Sequence, residues 1–355
     1  DPKRALSKKR RPGKAPVVIS RRHLAAAGCA ILILAGVVAG LWLLGRWNTR
    51  EASDITAAPV SLPDKYADRF LELNAMLTAV RERLSNLNEP TRPQREQMET
   101  AAARLREAEE KRNAGDITAV ALAEEALEYY LAALIAPASM TFVPSGQVTV
   151  DGVAQRAPAF YIDKTEVTLR EFAQFCAQVE DGWPLPDELT GAGDMYGEHP
   201  VHYVTWFDAQ AYAVWKKKAL PTRAQWARAA YGNPQASDIY PWGGEWQTDA
   251  ANVQTNNGTQ PVRSFKSDAT WSGCFDMAGN VMEWTRTAAT NNGKNAFPDF
   301  GDSMFVCGGS FLTAQPLRGA ALRPVETRSP DLGFRCVIEI ATTAESVALL
   351  LDRAK

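Results

Sequence analysis

The sequence predicts an α+β domain that follows one transmembrane helix and a helical stalk. Three observations support this prediction. An uncharged apolar run of about 22 residues occupies positions 24–45. Three stretches between residues 64 and 135 carry apolar side chains at helical spacing. From residue 140 onward, strand-like alternation and turn-forming residues replace the long helical patterns.

Composition places most of the chain among globular proteins. Of its 355 residues, 46% are hydrophobic and 23% are charged, as is usual for folded domains. The net charge of −2 argues against a dedicated nucleic-acid binder, because such proteins carry a marked excess of Lys and Arg. The length leaves room for more than one domain.

The first 23 residues form a basic tail, with nine Lys or Arg side chains against one acid, Asp1. A nucleic-acid-binding arm is one reading of such a run. The apolar run 24–45 follows directly, so the excess of positive charge instead predicts a cytoplasmic N-terminus. The run is longer than the apolar core of a cleaved signal peptide. We therefore expect a single-pass anchor in a bacterial inner membrane, with everything beyond residue 45 in the periplasm.

Residues 46–62 read as a polar linker, and residues 63–137 as the stalk. Helices are predicted over 64–86, 92–113 and 117–135, separated by Asn-Glu-Pro and Gly-Asp turns. The last two resemble one tetratricopeptide-like helix–turn–helix, a unit that cannot bury its own apolar face. The pattern favours a stalk or hairpin that packs on itself or on a partner, and a peptide-binding groove is the alternative.

Residues 138–340 carry a series of motifs in a fixed order, and residues 341–355 form a short amphipathic C-terminal tail. Seven of the motifs read MTFVPSG (140–146), FYIDKTEVT (160–168), PVHYVTWFDA (200–209), LPTRAQW (220–226), GCFDMAGNVMEW (273–284), GGSF (308–311) and GFRC (333–336). Together they resemble the formylglycine-generating-enzyme (sulfatase-modifying factor) family. The resemblance implies a C-type-lectin-like α+β fold with little regular secondary structure.

Catalytic members of that family oxidise a substrate cysteine with two copper-binding cysteines that follow the Gly-Gly-Ser motif. Residues 311–335 of this chain contain neither cysteine nor methionine, the ligands that a soft copper site requires. Thr313 and Arg318 stand at the corresponding spacing. The resemblance therefore implies a non-catalytic member, with no copper expected. The alternative is an oxidoreductase that generates formylglycine or performs a related sulfur oxidation.

Histidine and cysteine usage narrows the remaining chemistry. The chain has three histidines, and His23 flanks the anchor. His199 and His202 alone are too few for the three-histidine iron site of the related sulfoxide synthases. Outside the anchor, the cysteines are Cys176, Cys274, Cys307 and Cys336. They lack Cys-x-x-Cys spacing, and one disulfide among them is left open.

The loop 273–284 is the candidate metal site. In the family this loop binds calcium, and the matching positions are Asp276 and Glu283 through their side chains and Gly279 and Val281 through their carbonyls. A structural calcium ion is thus expected. The alternative is a loop that holds its shape through internal hydrogen bonds.

The function expected from these features is that of a non-catalytic, membrane-anchored scaffold or binding subunit. It would present its periplasmic domain to a larger envelope complex for secretion or signalling. The expected contact residues are Thr313, Arg318, Arg323 and Arg328, whose cations suit an acidic partner or a carbohydrate. The partners would be membrane or periplasmic proteins and not nucleic acid, a homo-oligomer is left open, and a lectin-like ligand receptor is a further alternative.

Overall fold

The computed structural model describes residues 61–179, 182–191, 196–232, 240–243, 245, 247, 249–254, 257–288, 303–313 and 320–353. The predicted basic tail, anchor and almost all of the linker lie outside the described residues. Within the described part, no helix combines the length and the apolar character needed to cross a membrane.

Three long helices open the described chain: α1 (Asp64–Ser85), α2 (Arg92–Asn113) and α3 (Thr118–Ile135). They confirm the three helices predicted from apolar spacing. Thr91 begins α2 with a capping box, in which its hydroxyl accepts from Gln94 N and the Gln94 side chain accepts from Thr91 N. The Gln94 amide also donates to Ala133 O at 2.9 Å, which ties α2 to α3.

The described residues beyond α3 contain nine strands. They are β1 (Met140–Val143), β2 (Gly146–Val150), β3 (Val153–Ala157), β4 (Phe160–Asp163), β5 (Met282–Ala288), β6 (Ser303–Cys307), β7 (Ala320–Pro324), β8 (Leu332–Gly333) and β9 (Val337–Glu339). Among the described residues they form a sheet of order β1-β4-β9, a β2-β3 hairpin and a sheet of order β7-β6-β5-β8. All pairings are antiparallel except β5 with β8.

Three shorter helices follow β4 and precede β5 in the chain: α4 (Leu169–Gln178), α5 (Trp206–Trp215) and α6 (Arg223–Tyr231). Each starts at a threonine capping box, formed by Thr168, Thr205 or Thr222 and the residue three positions later. Their starting positions follow from the family motifs, each of which carries the capping threonine. A last helix, α7 (Ala344–Arg353), occupies most of the predicted C-terminal tail.

The three long helices share a hydrophobic core with the first sheet. Their buried faces pack against Met140, Tyr161 and Ile340 of the sheet region, and Val347 of α7 joins the same cluster. The Tyr161 hydroxyl donates to Ala132 O of α3 at 2.8 Å and accepts from the Gln97 amide of α2 at 2.9 Å. The expected stalk is corrected here, because the β1-β4-β9 sheet covers its apolar face.

Residues 59–355 accordingly form one compact unit, and the predicted division at residue 137 does not separate two bodies. A second cluster packs α4 and α5 against β5, β6 and β8, with Phe172, Tyr212 and Phe334 at its centre. A third surrounds Trp226 between α6 and the first sheet. These three clusters make up the hydrophobic core. The candidate site lies in the loops that connect the sheets.

A carboxylate lies in the contact between the helices and the domain. Glu128 of α3 is 7% exposed, and its Oε2 accepts from Ser145 N at 3.4 Å. Burial raises the pKa of Glu128 from 4.5 to about 7, because the charged form loses its hydration there. This carboxylate therefore binds a proton more tightly in the folded protein than in the unfolded chain.

This difference predicts a pH-dependent loss of stability. As the pH rises from 4.5 to about 7, the unfolded chain has already released the Glu128 proton while the folded chain still holds it. The contribution of Glu128 to the free energy of unfolding therefore falls across that window, by up to about 3 kcal/mol at ~1.4 kcal/mol per pH unit. Replacing Glu128 by glutamine should stabilise the protein at pH 8 and leave it nearly unchanged at pH 4.5.

Urea denaturation of the Glu128→Gln variant at both pH values measures this effect. Glu82→Gln, which alters an exposed carboxylate on α1, is the matched control and should change stability by less than about 0.5 kcal/mol at either pH. Equal stability of wild type and Glu128→Gln at pH 8 would show that burial does not destabilise the charged Glu128 side chain.

Candidate functional site

The loop 273–284 folds back onto the domain through left-handed backbone positions. Asp276 and Asn280 have φ values of 61° and 67°, conformations that short polar side chains tolerate better than most. Gly279 approaches another segment so closely that a Cβ there would lie 2.5 Å from Asn252 O. The loop motif therefore specifies a backbone path as much as a set of ligands.

Asn280 joins this loop to two other segments. Its Oδ1 accepts from the Asn252 amide at 3.1 Å and from Gln260 N at 2.9 Å. Its Nδ2 donates to Glu166 Oε2 and to Gln260 O, each at 3.2 Å. The internal hydrogen bonds that the sequence offered as an alternative to calcium are thus present around Asn280.

A buried ion pair joins Glu283 of the loop to Arg335 of the Gly-Phe-Arg-Cys motif. Arg335 donates from Nε to Oε2 and from a terminal nitrogen to Oε1, both at 2.7 Å, and the side chains are 0% and 1% exposed. Trp226 Nε1 adds a bond to Glu283 Oε2 at 2.8 Å. Arg335 also donates to the carbonyls of Phe275 and Asp163 at 2.8 and 3.1 Å. The arginine therefore fixes the loop, the first sheet and β5 together.

Three further carboxylates lie close to this pair. Burial and then the charge of Asp276 raise the pKa of Glu166 well above its usual value. Burial also raises the pKa of Asp268 and of Asp276, and the two carboxylates repel each other. Asp268 Oδ2 accepts from Asp276 N at 3.0 Å, whereas its Oδ1 has no hydrogen-bond partner among the described residues. Arg335 is one cation among four carboxyl groups, and burial shifts the other three toward their protonated, neutral form.

The calcium prediction can be compared with this geometry. Three hydrogen bonds from Arg335 and Trp226 already engage the Glu283 oxygens, so an ion would have to compete with a guanidinium for them. Asp276 Oδ2 accepts from Arg263 N at 2.7 Å. Within the described residues, no three His, Cys, Asp or Glu side chains come together as a metal site. Of the four proposed ligands, Glu283 is held by Arg335 and Asp276 by a backbone N–H, and calcium stays a prediction of the resemblance.

Calcium should therefore change the thermal stability little. We expect 1 mM CaCl₂ and 1 mM EGTA to give melting temperatures within about 1 °C of each other. A structural ion present at 100 times its dissociation constant would contribute about 2.7 kcal/mol, which corresponds to a shift of roughly 5 °C or more. MgCl₂ at the same concentration controls for ionic strength. A calcium-specific rise of that size would show that an ion binds despite the Arg335 pair.

The predicted contact residues do not form one cationic patch. Thr313 closes a turn, with its hydroxyl donating to Ser310 O at 2.9 Å and accepting from Ser310 N at 2.8 Å. Arg323 lies on β7 and donates only to the adjacent Leu322 O, at 3.2 Å. Arg318 lies outside the described residues. Of the four, Thr313 and Arg323 thus remain available on the described surface.

Arg328 remains 39% exposed, but its guanidinium is held by two neighbours. Its guanidinium donates to Tyr203 O at 2.6 Å and forms an ion pair with Asp208 Oδ2 at 2.9 Å. Asp208 is the capping-box acid of α5, and its Oδ1 also accepts from Trp183 Nε1 at 3.0 Å. No local sequence pattern signals this pairing, because Asp208 and Arg328 are 120 positions apart in the chain.

Burial keeps the four described cysteine thiols in their neutral form. Cys274, Cys307 and Cys336 are buried, Cys176 is half-buried, and none of these four described residues is in a disulfide. Burial raises the pKa of all four thiols, that of Cys176 to about 11. They are therefore neutral near pH 7, and a neutral thiol is a poor nucleophile and metal ligand.

The two described histidines serve as hydrogen-bonding groups in a loop. His199 Nδ1 pairs with the Thr259 hydroxyl at 2.9 Å, and His202 Nδ1 with Pro200 O at 3.1 Å. Burial lowers the pKa of both imidazoles, so both are neutral near pH 7. Neither takes part in a metal-binding group within the described ranges.

The most connected residue of the site, Arg335, was missing from the residues predicted from sequence. The signal was an arginine between two residues typical of a core, in Gly-Phe-Arg-Cys. Long charged side chains are almost never fully buried unless they are paired. An arginine in this motif therefore predicts a buried carboxylate elsewhere in the chain. Glu283, which lies among apolar residues of the loop, is the candidate in the sequence.

Comparison with known proteins shows which family shares these features. The family description "Sulfatase-modifying factor enzyme 1-like domain" matches residues 133–340, more than half of the chain. A formylglycine-generating enzyme of Thermomonospora curvata is 31% identical over 189 residues, which are 44% of this chain and 61% of that protein. The "Inactive C-alpha-formylglycine-generating enzyme 2" of Bos taurus is 36% identical over 159 residues, 39% of this chain and 50% of that protein.

The match thus covers between half and about three fifths of the length of these two relatives. Among solved structures, the crystal structure of CarF superposes with a TM-score of 0.45 at 23% identity, covering 58% of this chain and 99% of CarF. The relatives include proteins described as active and as inactive, so the site residues of this chain must decide between the two.

Proposed function

The chain belongs to the family of sulfatase-modifying factor enzyme 1-like domains, and from that premise we propose that it is a non-catalytic binding subunit of a bacterial envelope complex. It would be anchored in the inner membrane by residues 24–45 and would present residues 59–355 in the periplasm to other membrane or periplasmic proteins.

The observation that carries this proposal is the cysteine-free stretch 311–335. The resemblance places both copper-binding cysteines of catalytic members in that stretch. Thr313, at the first corresponding position, uses its hydroxyl to close a turn with Ser310. A hydroxyl engaged in this way offers no soft ligand for Cu(I).

The remaining cysteines support the same proposal. Cys307 precedes the Gly-Gly-Ser motif, but it lies within β6 and is 3% exposed. Cys336 follows the motif and is 0% exposed, with its backbone N donating to Asp163 Oδ2 at 2.9 Å. Each fills a core position, so neither replaces a reactive, exposed thiolate. The inactive bovine relative is an example of a family member without activity.

The proposed contact surface surrounds strand β7, and we name it the β7 face: Leu312, Thr313, Leu322 and Arg323. Leu312 and Leu322 are large apolar side chains that are 47% and 44% exposed. Arg323 follows Leu322 along β7, so its cation lies on the other side of the same strand. Among the described strands, β7 has a neighbour on one side only, β6, so its other edge is open to pairing.

Crosslinking in native membranes, followed by purification of the full chain and mass spectrometry, tests the proposal. We expect a stable envelope protein to be recovered with wild type, and its yield to fall about tenfold in the double variant Leu322→Glu, Arg323→Glu. Leu71→Glu, which changes a leucine 63% exposed on α1, is the matched control and should leave the yield unchanged. Recovery of no envelope protein with wild type would contradict the binding-subunit proposal. An equal loss of yield in the double variant and in Leu71→Glu would contradict the β7 face as the contact surface.

A further inference from the structure

A groove of about 520 Å³ lies beside the β7 face, between α6, the turn of the β2–β3 hairpin and the adjoining ends of β6 and β7. Trp226 and Tyr231 of α6 form one wall, and Cys307 and Ala320 belong to the sheet side. Arg223, the first residue of α6, supplies the cation of the groove. No part of the function proposed so far uses this space.

The Arg223 guanidinium is held in the geometry that recognises a carboxylate. It stacks over the Phe305 ring, 4.2 Å from its centroid, and Arg223 is 9% exposed. Its two terminal nitrogens donate to the two carboxylate oxygens of Asp151, each at 2.6 Å. Such a planar, two-bond pairing is the strong and specific form of arginine–carboxylate contact.

The acid in this pair is exposed although the arginine is buried. The Asp151 side chain is 65% exposed, against 10% for Arg223. Asp151 and Gly152, with φ values of 51° and 76°, make the two-residue tip of the hairpin. Because water screens an exposed carboxylate, this ion pair costs little to exchange for another. Asp151 therefore sits where a ligand carboxylate would sit, on a segment from which it can be displaced.

The rest of the groove suits an apolar group beside that carboxylate. Trp226 and Tyr231 are 1% and 6% exposed, and Ala227 and Ala320 complete an apolar lining. The buried thiol of Cys307 is neutral because burial raises its pKa. A ligand that carries an aromatic or aliphatic group next to its carboxylate would thus match both parts of the groove.

The position of β7 favours a polypeptide as the source of the carboxylate. The strand begins at Ala320, which lines the groove, and its outer edge has no partner strand among the described residues. An extended segment that paired with this edge would bring one of its side chains over the groove. A free small carboxylic acid would satisfy Arg223 but would gain nothing from the strand edge.

We propose that the groove binds an acidic side chain of a partner polypeptide, whose carboxylate replaces Asp151 on Arg223. An apolar neighbour in the same polypeptide lies against Trp226 and Tyr231, while its backbone follows β7. The inference rests on the proposed binding function and names the contact chemistry for it. In the free protein, Asp151 competes for Arg223 and keeps the affinity low.

Tryptophan fluorescence or calorimetric titration of the purified full chain tests the inference with defined probes. The first is the end-blocked hexapeptide Ala-Val-Phe-Glu-Val-Ala, the second is its counterpart with Gln in place of Glu, and the third is phenylacetate. We expect Asp151→Asn to bind the acidic peptide about tenfold more tightly than wild type does, and the Gln peptide to bind at least tenfold more weakly. Phenylacetate should bind more weakly than the acidic peptide.

Two arginine variants and one control complete the experiment. Arg223→Gln should abolish binding, and Arg223→Lys should retain only part of it, because lysine keeps the charge but not the two-bond geometry. Glu72→Gln removes one of the two carboxylate partners of Arg69 on α1 and should leave the binding of both peptides unchanged. Unchanged affinity in Asp151→Asn, or equal binding of the Gln peptide, would overturn the inference. Binding of phenylacetate without binding of the acidic peptide would overturn the polypeptide source.

This result is independent of the test of catalysis. Formylglycine production by the full chain would contradict the proposed function and leave the probe titration interpretable, because Arg223 and Asp151 lie outside the stretch 311–335. Failure of the titration, in turn, would leave the β7 face and its crosslinking test in place.

Discussion

Replacing Arg335 by methionine is expected to destabilise the protein by about 3–5 kcal/mol, because it leaves the Glu283 carboxylate buried without its cation. Glu283 is 1% exposed, and only Trp226 would still donate to it. Arg335 also holds the carbonyls of Asp163 and Phe275, which would lose their donor. At roughly 2–4 °C per kcal/mol, the melting temperature should fall by about 6–20 °C.

The matched control for this variant is Arg69→Met, which breaks a more exposed pair with Glu124 on the helices. It should cost no more than about 1 kcal/mol, the usual contribution of such pairs. The double variant Arg335→Met, Glu283→Met should recover much of the loss, because it buries no unpaired charge. Equal stability of wild type and Arg335→Met in urea denaturation would mean that the Glu283 carboxylate has another cation in solution.

Replacing Tyr161 by alanine is expected to cost about 3–5 kcal/mol, the range for removing a buried aromatic side chain from a core. Tyr161 is 2% exposed and lies at the contact between β4 and the long helices, where its hydroxyl bonds to Ala132 and Gln97. Tyr161→Phe, which removes only the hydroxyl, should cost about 1 kcal/mol. The difference between the two variants measures the packing of the ring.

The same variants test whether the helices and the domain unfold together. The helices 64–135 contain no tryptophan, so tryptophan fluorescence reports on the domain while far-ultraviolet circular dichroism weights the helices. A shared core predicts coincident transitions for both probes in wild type and in Tyr161→Ala. Two separate transitions, with only the helical one shifted, would restore the stalk that the sequence predicts.

The sequence predicts the elements well where local signals determine them. The bounds of α2 follow from the Thr91 cap and from the turn at Ala114 and Gly115. Each capping threonine of α4, α5 and α6 lies within a motif, so the sequence contains a local signal for the start of these helices. The family fold was likewise predictable, since it depends on several motifs in order.

What the sequence could not predict are the partners that lie far apart along the chain. Apolar spacing marked a buried face on α3, but it did not show that Tyr161 and Phe142 cover that face. The motifs held Glu283 and Arg335 separately, 52 positions apart, and local patterns do not pair charges across such a distance. The ion pair of Arg328 with Asp208 could not be predicted for the same reason, because the two residues meet only in the fold.

The central claim is that this chain has the fold of the family but does not oxidise a substrate cysteine to formylglycine. The most direct measurement adds copper, oxygen and a cysteine-containing substrate peptide to the purified full chain and analyses the peptide by mass spectrometry. The Thermomonospora curvata formylglycine-generating enzyme serves as the positive control. We predict an unchanged peptide and no stoichiometric copper binding. Conversion of the peptide cysteine to formylglycine, with one copper ion bound per chain, would contradict the claim.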